Sequence, residues 1–304
     1  MKRLLLTSLL FAGAILLPIG CKTMDALTKV STTIGVATGT ISASEAQSIN
    51  RTASAAGKAF EQITPQQEYY IGRAVAASLL AQNKVVDLKE ATQYINVLGQ
   101  ALATYSDKPQ TFGGYHFVIM DTDEINAFAA PGGLILVSRG LLRCCRTEDA
   151  VAAVLAHEIG HVQHEHGLRA IKKSRVTSAL TILAAEGAKT LGGEQLAQLT
   201  TAFEGSITDI TGTLVNSGYS RQLESEADVA AVTIMTRAGY NPAALTDMLN
   251  EMHSRMPAGS KGFGKTHPDP MDRIKDIEPL LAGAAVSTPP PARQKRYEKA
   301  IEGV

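Results

Sequence analysis

Between positions 64 and 280 the apolar residues recur mostly at three- and four-residue intervals, the spacing of one face of an α-helix. Thr64 followed by Pro65 supplies an N-cap and a proline at the first helical position, and Glu68, Ile71, Val75 and Leu79 continue the pattern, so a helix starts there. A second begins near Leu88, after Asp87, with Ala91, Ile95, Leu98 and Leu102 on one face. The pattern then changes. Residues 115–120 and 134–137 read as strands, separated by turn formers that include Pro131, Gly132 and Gly133, and together they predict a small antiparallel sheet. Thr147 caps a long helix with Glu148 and Asp149 in its positive first turn, and Val151, Val154, Leu155, Ile159 and Val162 form its buried stripe as far as Gly167. Further helices are predicted over 221–237, ending at Gly239, from Asn241-Pro242, and from Asp269-Pro270 through Leu280. The expectation is an α+β fold, mostly helical.

The ends of the chain have a different character. Lys2 and Arg3 precede an apolar run over 4–17, then Pro18, Ile19 and Gly20 lead to Cys21; this is the pattern of a cleaved secretory signal peptide over 1–20. Cys directly after Gly resembles the lipobox of bacterial lipoproteins, in which the thiol is lipidated, although Pro18 departs from the usual Leu or Val; plain secretion is the alternative. Residues 21–57, rich in Ala, Ser, Thr and Gly, are expected to form a tether and N-terminal segment, 58–285 one domain, and 286–304 a Pro-rich linker with a short charged tail. The apolar run 179–185 is followed too soon by Glu186, Lys189 and Glu194 to span a membrane, and a helical arm or lid is expected.

With 304 residues, 45% of them hydrophobic, the chain has enough apolar surface for a sizeable core. Lys plus Arg and Asp plus Glu both number 29, which provides no basic field for nucleic acid. Beyond Cys21, Cys144 and Cys145 are adjacent, so no disulfide framework is expected; two half-buried thiols near a helix start are the simpler reading, and a cross-link to a second chain the other.

The chemistry lies in the long helix. His157-Glu158-Ile159-Gly160-His161 is an H-E-x-x-H pattern, which places two imidazoles one turn apart on one helix face where both can hold one Zn²⁺. Glu158 lies beside them, unable to reach the same ion easily, and is placed to act as general base toward an attacking water. A catalytic zinc needs a third protein ligand and an open position, and Glu224 is the candidate, with Asp228 one turn on to brace a ligand imidazole. Glu226 is expected to face solvent. His164 lies too far along to share the metal, and His166 is expected to serve as a cation at the helix's negative end. Tyr219 and Arg221 flank the third ligand and are candidates to stabilise a developing oxyanion, Arg221 also as a substrate-site or regulatory residue, the alternative being a Lewis-acid zinc that acts largely alone.

These residues make the chain resemble the bacterial Ste-type and HtpX-type zinc peptidases, metallopeptidase family forty-eight, which pair H-E-x-x-H with a downstream E-x-x-x-D. Here the matches are His157, Glu158, His161, Glu224 and Asp228. Thr64 to Glu68, Asn126-Ala127-Phe128, Pro131-Gly132-Gly133, Gly140-Leu141-Leu142 and Thr266-His267-Pro268 extend the likeness over 64–280. The resemblance implies a zincin-type peptidase domain, one Zn²⁺ per chain, and hydrolysis of peptide bonds in cell-envelope proteins, misfolded or outer-membrane ones included. It implies the periplasmic side of the envelope, with a lipid anchor at Cys21, for a member lacking both spanning helices and a tetratricopeptide-like module. It also offers a role for residues 134–137 as an edge strand pairing with substrate, an ordinary internal strand being the alternative. His267 is expected either to swing onto the zinc and silence a resting enzyme or to cap the following helix. The rival to peptidase activity is a non-catalytic or latent envelope assembly factor on the same zinc fold; retention of Glu158 argues against it.

Overall fold

Thr64 and Pro65 open the first helix as expected, α1, Pro65–Leu80, and the second, α2, covers Lys89–Ala103. In the computed structural model the described residues are 63–81, 83–169, 210–256, 266–282 and 289–304, with isolated positions at 36, 42–44, 46–47 and 207–208. The chain divides into two units, 1–62 with 175–202, and 63–174 with 203–304. Of the first, only a few positions between 36 and 47 are described, most of them helical. The signal peptide, Cys21, nearly all of the tether and the arm at 179–185 lie outside the described residues. Among the described residues, no helix is long and apolar enough to cross a membrane.

After α2 come β1, His116–Met120, β2, Ala127–Ala130, a tight turn at Pro131–Gly133, and β3, Leu134–Ser138. The three strands stand in the order β1-β3-β2; β3 pairs antiparallel with β2 and parallel with β1. The expected sheet was antiparallel, and the sheet is mixed. The reason is β2, which the sequence pattern left unassigned: β2 and β3 form the hairpin, so the chain leaving β1 crosses β3 to reach the far edge and β1 is left parallel. β3 is therefore central, not an edge. Its residues Ile135 to Ser138 are all buried, as in a strand covered on both faces. One face of the sheet carries Phe117, Ile119, Ile135 and Val137 into the main core, while Phe128, Ala130 and Leu136 meet Ile71, Val75 and Leu79 of α1 on the other. Gly72 lets α1 come this close: a Cβ there would lie 1.7 Å from the Pro131 carbonyl oxygen.

A short helix α3, Arg139–Leu142, leads to α4, Glu148–Gln163, capped by the Thr147 hydroxyl accepting from the Ala150 N–H. Its face was expected to be a stripe, but every residue from Glu148 to Val162 is buried. A helix buried all round is the centre of a fold. Around it pack α2, β2, α5, Arg221–Arg237, and α6, Ala244–Arg255, and α7, Pro270–Leu281, closes over α5 and α6. Full burial of side chains such as Leu155 and Ile159 contributes about 1.5–3 kcal/mol each. Cys144 and Cys145, just before α4, are both fully buried, more so than expected, and burial pushes both thiols up, Cys144 to about 11. Such thiols are inert, and neither is placed to cross-link a second chain.

Residues 291–301, expected to be a charged tail behind a stiff linker, form a last helix, α8, Pro291–Ile301, docked on the start of α4. Arg296 pairs with the buried Glu148, the Tyr297 hydroxyl donates to the Cys145 carbonyl, and Arg293 reaches Asp149 at 3.5 Å. Tyr94 and Tyr240 also donate to Glu148, at 3.3 and 2.9 Å. The two acids of the first turn serve this clamp as well as the helix dipole.

Candidate metal centre

His157 and His161 project from α4 one turn apart, and their Nε2 atoms stand 3.1 Å from each other. Glu224, in the first turn of α5, brings Oε2 to 3.5 Å from Nε2 of His157 and Oε1 to 3.4 Å from Nε2 of His161. The approach of the two helices depends on Gly160. A Cβ at that position would meet the Ala227 carbonyl oxygen at 2.9 Å, so a larger residue would push α5, and Glu224 with it, away.

His267 completes the cluster. Its Nδ1 is 2.8 Å from Oε2 of Glu224, and the donor atoms of His157, His161, Glu224 and His267 all lie within 4.8 Å of one another, all four residues buried. Asp269, not His267, caps α7, its side chain accepting from the Met271 N–H. The His267 segment is held from two sides: the Thr266 hydroxyl donates to Asn126 at 3.1 Å, and the Thr266 carbonyl accepts from the Tyr219 N–H at 3.3 Å. Gly218 (φ +67°) passes so near that a Cβ would fall 2.1 Å from that carbonyl oxygen. Thus Asn126 and Thr266, two of the short matches in the sequence, belong to one contact.

The donor set fits zinc. Ligand atoms about 2.0–2.2 Å from a tetrahedral ion stand about 3.3–3.6 Å apart; Glu224 meets this at 3.5 and 3.4 Å from the two imidazole nitrogens, which themselves stand slightly closer, at 3.1 Å. The ring tautomers fit as well. His157 Nδ1 is 2.9 Å from Asp228 Oδ1, so the proton on Nδ1 is donated to the carboxylate and the Nε2 lone pair faces the cluster. Burial and Arg273 push His157 down, but Asp228 and Glu224 outweigh them and hold it up at about 9. An ion binding there displaces a proton. Burial together with His157, His267 and His166 sets His161 well below its usual value. For Glu224 burial acts upward, yet His267, His161 and the contacts from His157 hold it well below the ordinary carboxylate range.

Glu158 is buried and stands outside this ligand group, as its place on the helix requires. Burial raises it, against the pull of His157 and His267. Tyr219 stacks on His161, ring centroids 4.4 Å apart, while Arg221 turns outward, 61% exposed, and pairs with Asp276 at 3.3 Å on α7. The structure therefore keeps Arg221 apart from the other candidates.

One residue at the centre, Arg273, escaped the sequence reading, and a second, His166, has a different place from the one expected. Arg273 of α7, fully buried, donates to both oxygens of Asp228, at 2.6 and 3.0 Å. His166 is also buried, with Nδ1 2.8 Å from Nδ1 of His161, and burial pushes it down to about 4 despite Glu226. It is packed inside the fold against His161 and does not lie as a cation at a helix end. The helix stops sooner than expected, at Gln163, and Glu226 is only partly exposed and engaged with His166 and Arg169.

The sequence profile of Peptidase family M48 matches residues 89–280, more than half of the chain and the whole of the centre just described. The chain belongs to that family. Among M48 relatives, it is 30% identical over 217 residues to the Beta-barrel assembly-enhancing protease of Escherichia coli strain K12, covering 69% of this chain and 43% of the relative. It is 34% identical over 163 residues to the Mitochondrial metalloendopeptidase OMA1 of Schizosaccharomyces pombe, 53% of this chain and 45% of the relative. It is 27% identical over 163 residues to the Metalloprotease LoiP of Escherichia coli strain K12, 54% of this chain and 61% of the relative. The match thus spans less than half the length of the first two relatives. The M48 profile begins at Lys89, so α1 and α8 flank the matched region.

Proposed function

We propose that this M48 chain is a zinc-dependent endopeptidase that hydrolyses polypeptides of the cell envelope. The observation that carries the reading is the convergence of His157, His161 and Glu224 at zinc spacing, with the buried Glu158 beside them on the same helix. The names of the relatives, one of them an assembly-enhancing protease, support the substrate class. His157, His161 and Glu224 would hold the ion. Bound zinc would supply Lewis acidity to a peptide carbonyl and to water. Glu158, raised by its burial, takes the proton of the attacking water and passes it to the leaving amine. Asp228 fixes the His157 ring throughout. Export by the segment 1–20 and lipidation of Cys21 complete the proposal and place the chain on the periplasmic side.

The test is zinc content and casein cleavage by the purified chain and by Glu158→Gln. Equal zinc with cleavage reduced at least about 100-fold in the variant is expected. Zinc in both with equal cleavage would remove Glu158 from the role.

A latent state is the second reading, and the place of His267 favours it. With a ring nitrogen inside the group of donor atoms, His267 is a fourth donor where the open position is needed. His267→Ala is expected to raise kcat/KM about tenfold if the His267-docked form holds about nine-tenths of the molecules. Unchanged cleavage would count against latency.

A further inference from the structure

The acidic run Glu224-Ser225-Glu226-Ala227-Asp228 holds three carboxylates, and only the first and last have a part in the reading above. The middle one has a partner that the helix geometry makes improbable. On an unbroken helix His166, five residues after His161, would lie about 140° round from it. Instead α4 caps at His164, and Glu165 takes φ +54°, the positive-φ non-glycine among the described residues. That left-handed residue is costly for a side chain and persists where its surroundings hold it. Here Lys108 donates to Glu165 at 3.2 Å and to both oxygens of the buried Glu68 at 3.0 Å. The turn folds His166 back beneath His161.

The result is a continuous chain of contacts. His161 Nδ1 is 2.8 Å from His166 Nδ1, and His166 Nε2 is 3.2 Å from Glu226 Oε2. That same oxygen accepts from Arg169 Nη1 at 2.7 Å, and Glu226 Oε1 accepts from Gln222 at 3.2 Å. One assignment of protons satisfies every contact. If His161 keeps the Nε2 lone pair for a metal, its Nδ1–H donates to His166 Nδ1, and His166 must then carry its proton on Nε2 and donate it to Glu226. The stacking of Tyr219 on His161 and of His164 on His166, at 4.4 and 5.5 Å, keeps both rings in their planes.

We infer that His166 and Glu226 are positioning residues for the metal, a second brace that fixes the tautomer and orientation of His161 as Asp228 does for His157. Each ligand imidazole then ends on a carboxylate of α5, directly for His157 and through a histidine for His161. All three acids of the run serve one ion. The inference rests on the zinc reading above.

Zinc affinity, measured by competition with a chromophoric chelator on the full chain, tests it independently of activity, with the visible spectrum of the cobalt-substituted protein as a second readout. His166→Phe keeps the ring and removes the acceptor; a 10–100-fold loss of affinity and a changed cobalt spectrum are expected. His166→Gln, which restores an acceptor, should recover most of the affinity. Glu226→Ala, at the partly exposed end, should weaken binding in the same direction but less. Because Glu226 acts only through His166, the double variant His166→Phe/Glu226→Ala should bind no more weakly than His166→Phe alone. Affinity within twofold of wild type in His166→Phe, or full additivity in the double variant, would overturn the brace. Should His166→Phe fail to fold, Glu226→Ala and His166→Gln decide, and wild-type affinity in Glu226→Ala overturns it. A wild-type chain that binds no zinc would defeat the zinc reading and the brace together, whereas zinc in wild type with indifferent variants would defeat the brace alone.

Discussion

Arg273→Met should lower the stability of the protein by about 3 kcal/mol or more, the usual cost of leaving one half of a buried ion pair without the other. The side chains of Arg273 and Asp228 are each only 4% exposed, and Arg273 donates to both carboxylate oxygens. At about 2–4 °C per kcal/mol for a domain of this size, the thermal midpoint falls by about 6–12 °C. The direction is decided by the orphaned charge, because the methionine fills nearly the same volume. Asp228→Asn in the Arg273→Met background should therefore recover part of the loss while leaving an acceptor for His157 Nδ1–H. The measurement is a calorimetric melt of the wild type, the single variant and the double variant. A single variant that melts within 2 °C of wild type would mean that Asp228 is satisfied without Arg273.

Removing residues 289–304 should be nearly as costly. Those residues carry α8, whose Tyr297 is buried against the main core with Ile301 and Val304 beside it. Loss of the Tyr297 burial costs about 2 kcal/mol. Glu148 would keep the hydroxyls of Tyr94 and Tyr240 but lose its cation; since Arg296 is 53% exposed, solvent screens that pair and it contributes about 1 kcal/mol at most. Arg293 adds a contact over the Tyr240 ring, 4.1 Å from its centroid. The sum predicts a fall of about 10 °C in the melting midpoint. Glu148→Gln in the shortened chain should restore part of it by removing the unpaired charge. If the shortened chain melts with wild type, α8 is an ornament of the fold and not a clamp.

How far the sequence carried these conclusions can be judged residue by residue. The helices α4, α5 and α7 have side-chain N-caps in the structure, from Thr147, Ser220 and Asp269, while α2 was legible by periodicity alone: Ala91, Ile95, Leu98 and Leu102 are all buried but Leu88 at its start makes no capping bond. The clustering of His157, His161 and Glu224 was legible because both halves lie on helices, where spacing fixes direction. β2 was missed because Ala127, Phe128, Ala129 and Ala130 are buried without exception and show no alternation to betray a strand. That omission carried the pairing of the sheet and the place of β3 with it. Arg273 was invisible for another reason: it is 116 residues from His157, and nothing local distinguishes it from the exposed charges Asp272 and Lys275 around it. His166 was misread because the helix was extended through Glu165, whose left-handed backbone no residue preference announced. The proline run before α8 has the composition of a linker, yet Pro at the first helical position also starts helices, and Tyr297 decided between the two.

The complete burial of α4 bears on how such a protein can change over generations. Ala150, Ala152, Ala153 and Ala156 are buried along it and a Cβ at Gly160 would already meet the Ala227 carbonyl oxygen at 2.9 Å, so enlargement along this helix overpacks the core. Selection acting on what the protein recognises has little freedom along the helix that carries His157 and His161. Tolerated variation must accumulate instead at exposed positions of the periphery, such as Tyr70 and Phe112, where a new side chain alters the surface without disturbing the frame.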